Sequence, residues 1–296
     1  MKQFSIPRRI WRIINPLIIY LAITLAVGII FAVSLGLALA IQGMIGGGLD
    51  ITDLAAEMQR ITIEYSMPIL ITGNVVALGA FLPMWLNSRK RIERSRNVNP
   101  AVNYALTFGL FAAFNLVVTC VISLLDSAFD IMSYFRSYEG VGDVLTQGTF
   151  LAQLIALGVG APIVEEMCFR GILMERMRWI PVWLAVFIQA LLFAIAHMNL
   201  FQGSYAFILG IMLALAYVKF RSLIVVIIGH AAFNITSVVQ STIAPEANLF
   251  ALLIPGVVVT IVCAVFLIKR PSAIVIPLDV QETSYPEPPP EYYMGQ

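Results

Sequence analysis

The stretch Ala161-Pro162-Ile163-Val164-Glu165-Glu166-Met167-Cys168-Phe169-Arg170-Gly171 sets two adjacent carboxylates and a guanidinium at the end of a long apolar run. Even on the lenient insertion scale a charge inside a hydrocarbon slab costs about 2.5–3.5 kcal/mol, so such residues mark a functional site. Helical geometry puts Glu166 and Arg170 one turn apart, where they can pair. It turns Glu165 about 100° away, onto the face of Cys168 and Phe169. One carboxylate is then neutralised and one is available for chemistry. Pro162 removes a backbone donor and loosens the helix just before them.

The sequence on either side of this stretch is that of a membrane protein. Hydrophobic residues make up 60% of the chain and charged ones 12%, against roughly 25% charged in soluble domains. A net charge of +1 gives no pull toward nucleic acid or an acidic substrate. Cys120, Cys168 and Cys263 all lie in apolar segments and suggest no disulfide framework. The expected fold is all-α, a polytopic bundle of about eight spans: Ile13–Ile41, Met67–Leu86, Ala101–Leu125, Thr149–Met177, Pro181–His197, Ser204–Val218, Leu223–Ser241 and Leu249–Ile268. The first apolar run far exceeds the ~7–15 residues of a signal-peptide core, so it reads as an uncleaved span.

Charge decides orientation. With alternating sides, only Arg60 and Arg136 of the 18 Lys and Arg residues fall opposite; Arg170 lies within a span and the other 15 lie toward one side. The positive-inside rule then puts both termini in the cytosol. The basic run Arg89–Arg96 abuts a span and is better matched to anionic lipid than to nucleic acid. The acidic stretches Asp50–Glu64 and Asp126–Asp143 read as loops on the far side. Three regions are expected: N-terminal helices over 1–148, a catalytic membrane core over 149–270, and a disordered Pro-rich cytosolic tail over 271–296. Pro289-Pro290-Glu291-Tyr292 in that tail matches a WW-domain ligand pattern, although a solvated tail is the commoner meaning.

Only two histidines occur, His197 and His230, and both lie in apolar segments with a companion one turn away. Phe193 precedes His197 by four and Asn234 follows His230 by four. The ordered set E-E-x-x-x-R, F-x-x-x-H, H-x-x-x-N on successive spans resembles the CPBP family of CAAX prenyl endopeptidases and bacterial proteins related to bacteriocin processing and immunity. The resemblance covers about Phe150–Val239. It implies an intramembrane endopeptidase in which the matching glutamate and histidine activate water, while the last histidine and the asparagine stabilise the oxyanion.

The residues themselves lead to the same roles. Counted from the cytosolic ends at about 1.5 Å per residue, Arg170, Glu165, His197, His230 and Asn234 lie about 12–24 Å deep, in one slab. A carboxylate in apolar surroundings is a strong proton acceptor, which suits Glu165 as general base with His197 holding the water. His230 and Asn234, on one helical face, suit oxyanion stabilisation. Glu166 and Arg170 form the pair that fixes the helix. Phe193 reads as packing. Cys168 could be a thiol nucleophile but better suits a buried apolar role. Gln153, Gln189 and Asn115 read as interhelical hydrogen-bond residues.

Taken singly, each polar residue is as well explained as structural glue; the joint order points to catalysis. The expected partners are a membrane-embedded or lipidated peptide and the bilayer, with no nucleic acid, in the plasma membrane of a prokaryote. A transporter is disfavoured because the two halves lack matching broken helices. The alternatives are a non-hydrolytic immunity or scaffold protein, and a zinc enzyme of the same kind. Glu165, His197 and His230 are a His₂Glu ligand set, but neither histidine sits in an H-E-x-x-H helix and Asn234 suits a donor. The expectation is therefore no cofactor.

Overall fold

Long apolar stretches must satisfy every backbone group internally in a bilayer, and helices do this. The structure, a computed structural model, describes residues 5–46, 51–89, 94–96, 99–135, 146–243 and 249–276. The Pro-rich tail beyond 276, the loop around Gly140 and most of the basic run lie outside the described residues. Nine principal helices follow in order: α1 (Ile6–Gly46), α2 (Ile51–Glu64), α3 (Ser66–Arg89), α4 (Pro100–Phe129), α5 (Phe150–Met174), α6 (Val182–Ala196), α7 (Leu200–Phe220), α8 (Leu223–Thr242) and α9 (Leu249–Lys269). Two three-residue strands, β1 (Arg94–Arg96) and β2 (Ile274–Ile276), pair antiparallel. The protein is an all-α, multi-pass membrane bundle.

Among the described residues seven helices are long and apolar enough to cross a bilayer; α6, with 15 residues, is shorter. At about 1.5 Å per residue it rises only about 22 Å. It ends at a turn after His197, where Met198 adopts φ 52°. The segment read as an acidic loop is instead helix α2. Its acids are spaced for a helix: Arg60 bridges Glu57 at 2.7 Å and Glu64 at 2.9 Å. Its Met58 packs against Gly36 of α1, where a Cβ would already be in contact.

Hydrogen bonds tie several segments together at one end of the bundle. Arg176, just past α5, donates to the Arg12 carbonyl near the start of α1. Glu175 accepts from Tyr217 near the end of α7 at 2.8 Å and lies 3.4 Å from Arg221. Lys219 donates to the Ile268 carbonyl at the end of α9, and the Ala273 amide donates to the Lys219 carbonyl. The beginning of α1 and the end of α9 therefore lie on one face.

The core centres on the second half of α5, where Met167 through Met174 are all buried. Helices α3, α6, α8 and α1 pack around it, and α4 braces α8 and α9. Gly229 of α8 makes the α4 contact possible: a Cβ there would lie 2.6 Å from the Phe111 ring.

Candidate active site

Helix α5 is not uniformly α-helical. Leu154–Gly160 and Met167–Met174 are π-helical, with α-helical Ala161–Glu166 between them. Such widened turns concentrate at functional sites, and here the cause can be read from the sequence. In the π register a backbone N–H bonds the carbonyl five residues back, as Ala161 does with Ala156. Pro162 has no N–H to give the Leu157 carbonyl. That carbonyl is taken from outside the helix: Asn234 of α8 donates its Nδ2 to it at 2.9 Å. Beside it, Asn74 of α3 donates to the Ala156 carbonyl at 2.9 Å. Gly160 allows this approach, since a Cβ would stand 2.7 Å from the Asn74 amide.

The two glutamates that follow point to different surroundings. Glu166 is fully buried and its Oε1 lies 2.6 Å from Arg170 Nη1, also fully buried. Arg170 further donates to the Gly210 carbonyl of α7 at 3.1 Å and lies over the Phe193 ring, 4.8 Å from its centroid. The expected pair is present, and it is part of a larger clamp. His230 Nδ1 lies 2.8 Å from the same Glu166 oxygen. A carboxylate already bonded to a guanidinium accepts here, so Nδ1 carries the proton and Nε2 faces the other way. On that side Glu165 Oε2 stands 3.8 Å off.

Glu165 is 14% exposed at the side chain, whereas Glu166 is at 0%. Its one hydrogen bond among the described residues comes from Tyr20 of α1, whose hydroxyl donates to Oε1 at 3.4 Å. His197 lies at the end of α6 with Nδ1 2.8 Å from the Phe193 carbonyl. A carbonyl can only accept, so Nδ1 is the protonated nitrogen and Nε2 is free to accept. The Phe193 ring meets the rings of His197 and His230 edge-on, at 4.9 and 5.7 Å, and that of Phe169 at 5.0 Å.

Of the six site residues read from the sequence, Glu165, Glu166 and Arg170 lie on α5, His230 and Asn234 of α8 bond to it or stand beside it, and His197 touches Phe193, whose ring contacts Arg170 and His230. Phe193 has a larger part than packing: its carbonyl sets the His197 tautomer and its ring separates the two imidazoles. Cys168 is fully buried. Gln153 does bridge helices, accepting from Thr242 of α8 at 3.1 Å. Gln189 does not, since neither of its amide atoms has a hydrogen-bond partner among the described residues. Tyr20 was not singled out by motif, although a tyrosine one helical turn beyond Pro16 in an apolar span is a visible polar signal.

Charge also collects where α5 leaves the membrane. Arg176 Nη1 donates to both the Arg12 carbonyl and Asn15 Oδ1, each at 2.6 Å. Burial, reinforced by the neighbouring Arg12, pushes this guanidinium down to about 10, still a cation at neutral pH.

A buried carboxylate clamp thus lies beside a partly open carboxylate, with His230 near both and His197 across the Phe193 ring. Residues 147–236 match the family described as Type II CAAX prenyl endopeptidase Rce1-like, so the resemblance to the CAAX endopeptidases holds over the stretch that carries the motifs. No curated protein and no solved structure matches the chain.

Proposed function

We propose that the protein is an intramembrane endopeptidase in which Glu165 activates water for attack on a peptide bond. The observation that carries this reading is the division of labour between the adjacent glutamates. Glu166 is committed to Arg170 and His230, whereas Glu165 keeps partial access and lies next to a second polar edge. In the proposed step Glu165 takes one proton of a water while the water oxygen bonds to the scissile carbonyl carbon. His197 Nε2, fixed as an acceptor, orients that water. Charge moves to the carbonyl oxygen, where Asn234 offers its second amide hydrogen and the Nε2 edge of His230 lines the site. The proton held by Glu165 then passes to the leaving nitrogen as the C–N bond breaks.

The substrate class is a peptide segment held in or at the bilayer, since the reacting groups lie well inside the bundle. The matched family's description makes a prenylated C-terminal CAAX peptide the first substrate to try. The charge asymmetry places the shared face of α1 and α9 in the cytosol, in the plasma membrane of a prokaryote.

The histidine tautomers also suit metal ligation, because metal-bound imidazoles usually give their second N–H to a carbonyl or carboxylate. Among the described residues, however, no three His, Cys, Asp or Glu side chains stand together as a metal cluster. Glu165, His197 and His230 as placed do not form a cage, and no step is routed through a metal.

The deciding experiment is turnover of a lipid-embedded peptide by the purified protein in vesicles, beside Glu165→Ala. Cleavage by the wild type alone is expected. Cleavage unaffected by Glu165→Ala would remove Glu165 from the mechanism, and no cleavage of any membrane peptide would favour a scaffold role.

A further inference from the structure

Helix α1 lies far outside residues 147–236, yet two contacts tie it to α5. The first starts with Pro16. Lacking an N–H, it leaves the Arg12 carbonyl without its helical donor. Arg176 fills that position at 2.6 Å and takes Asn15 Oδ1 with the same nitrogen. This repeats the solution at Pro162, where the freed Leu157 carbonyl is taken by Asn234. The second contact is the Tyr20 hydroxyl on Glu165. Residues 12, 16 and 20 are spaced by four and share one face of α1. Clamp and phenol therefore address α5 together, Arg176 at its exit and Tyr20 at its reacting carboxylate. The Tyr20 ring also packs near Phe81 of α3, with centroids 6.3 Å apart.

We propose that α1 completes the active site: Tyr20 is a positioning residue that holds Glu165 Oε1, leaving Oε2 toward His230, and Arg176 is the latch that keeps Tyr20 there. The proposal rests on Glu165 as base. A carboxylate with one oxygen tied has one orientation in which the other can meet water, and this is worth most in the transition state. The latch works because Pro16 cannot supply the i+4 donor to the Arg12 carbonyl, and the Arg176 guanidinium donates there instead. The same break gives α1 a point at which to bend toward α5.

Two readouts test it on the full chain in vesicles. Tyr20→Phe removes only the hydroxyl; kcat is expected to fall about tenfold or more, with KM and unfolding temperature nearly unchanged. The second readout is independent of turnover. Cys168 is fully buried within electrostatic reach of the Tyr20 hydroxyl. In a C120A/C263A background it is the sole thiol, to be challenged with a membrane-permeant maleimide. Cys168 should be protected in the parent and in Tyr20→Phe, alkylated at least several-fold faster in Arg176→Ala, and protected again in Arg176→Lys, which restores a cationic donor. Unchanged kcat in Tyr20→Phe, where the parent cleaves and Glu165→Ala does not, overturns the role of Tyr20. Equal protection of Cys168 in Arg176→Ala overturns the latch. If no variant and no parent cleaves any peptide, the protease reading fails, and the thiol result still judges the docking of α1.

Discussion

Glu165 and Glu166 are joined by one peptide bond, and the bundle treats them in opposite ways. Glu166 faces inward, between Arg170 and His230, with no exposure at all. Glu165, about 100° around the helix, faces a thinner wall made by α1 and keeps 14% of its side chain open. The inner side is held through one oxygen, Glu166 Oε1, while Oε2 and Arg170 Nε have no hydrogen-bond partner among the described residues; remove Arg170 and a buried charge is stranded. The outer side differs in access, and a carboxylate that water can reach is what proton transfer needs. Adjacent residues can thus serve stability and chemistry separately, because helical phase keeps their environments apart.

The sharpest way to break this comparison is to neutralise each side in turn. Glu165→Gln keeps shape and polarity but cannot accept a proton. Turnover is expected to fall by about 10²–10⁴-fold, the usual worth of general base catalysis, while thermal unfolding in detergent stays put. Arg170→Ala leaves Glu166 buried without its cation and releases the Phe193 ring and the Gly210 carbonyl. Loss of about 3–5 kcal/mol of stability is expected, with activity lost alongside. Comparable destabilisation in the two variants would show that both glutamates belong to one structural cluster.

Asn234 holds the Leu157 carbonyl and is proposed to meet the oxyanion, and a smaller effect tells the two roles apart. Its amide takes the Leu157 carbonyl that Pro162 cannot serve, so Asn234→Ala should cost about 1–3 kcal/mol for a buried group left without a partner. Pro162→Ala would return an N–H to that carbonyl. In this background Asn234→Ala should destabilise measurably less, while any loss of kcat from a missing oxyanion donor should persist. Complete rescue of both stability and kcat by Pro162→Ala would make Asn234 purely structural.

Much of this could be read before any coordinates. The i, i+4 spacing of Glu166 and Arg170 specified their pair, and the scarcity of histidines left few candidates for the rest. Seven of the eight expected spans are helices long and apolar enough to cross a membrane, because apolar runs and flanking Lys/Arg mark membrane helices strongly. What stayed hidden depends on contacts remote in sequence. His230 reaching Glu166 and Tyr20 reaching Glu165 cross 64 and 145 residues, which no periodicity encodes. Helix α2 was missed because its charge was read as loop solvation, when spacing around Arg60 was the better guide. The proline-freed carbonyls were halfway legible: Pro16 and Pro162 announce an orphan acceptor, but not which side chain fills it.

The last prediction concerns a perturbation expected to change least, the removal of metal. If the outer side works as a carboxylate base, purified active protein should hold far less than one equivalent of zinc, and chelators should leave turnover largely intact. The reason lies in the placement. Zinc would need Glu165, His197 and His230 together at ~2 Å ligand distances, and these side chains do not stand together as a metal cluster among the described residues. Metal analysis of the wild type and of His197→Ala, before and after dialysis against chelator, checks this directly. Stoichiometric zinc lost with activity, restored with it, and absent from His197→Ala would make Glu165 a ligand rather than a base.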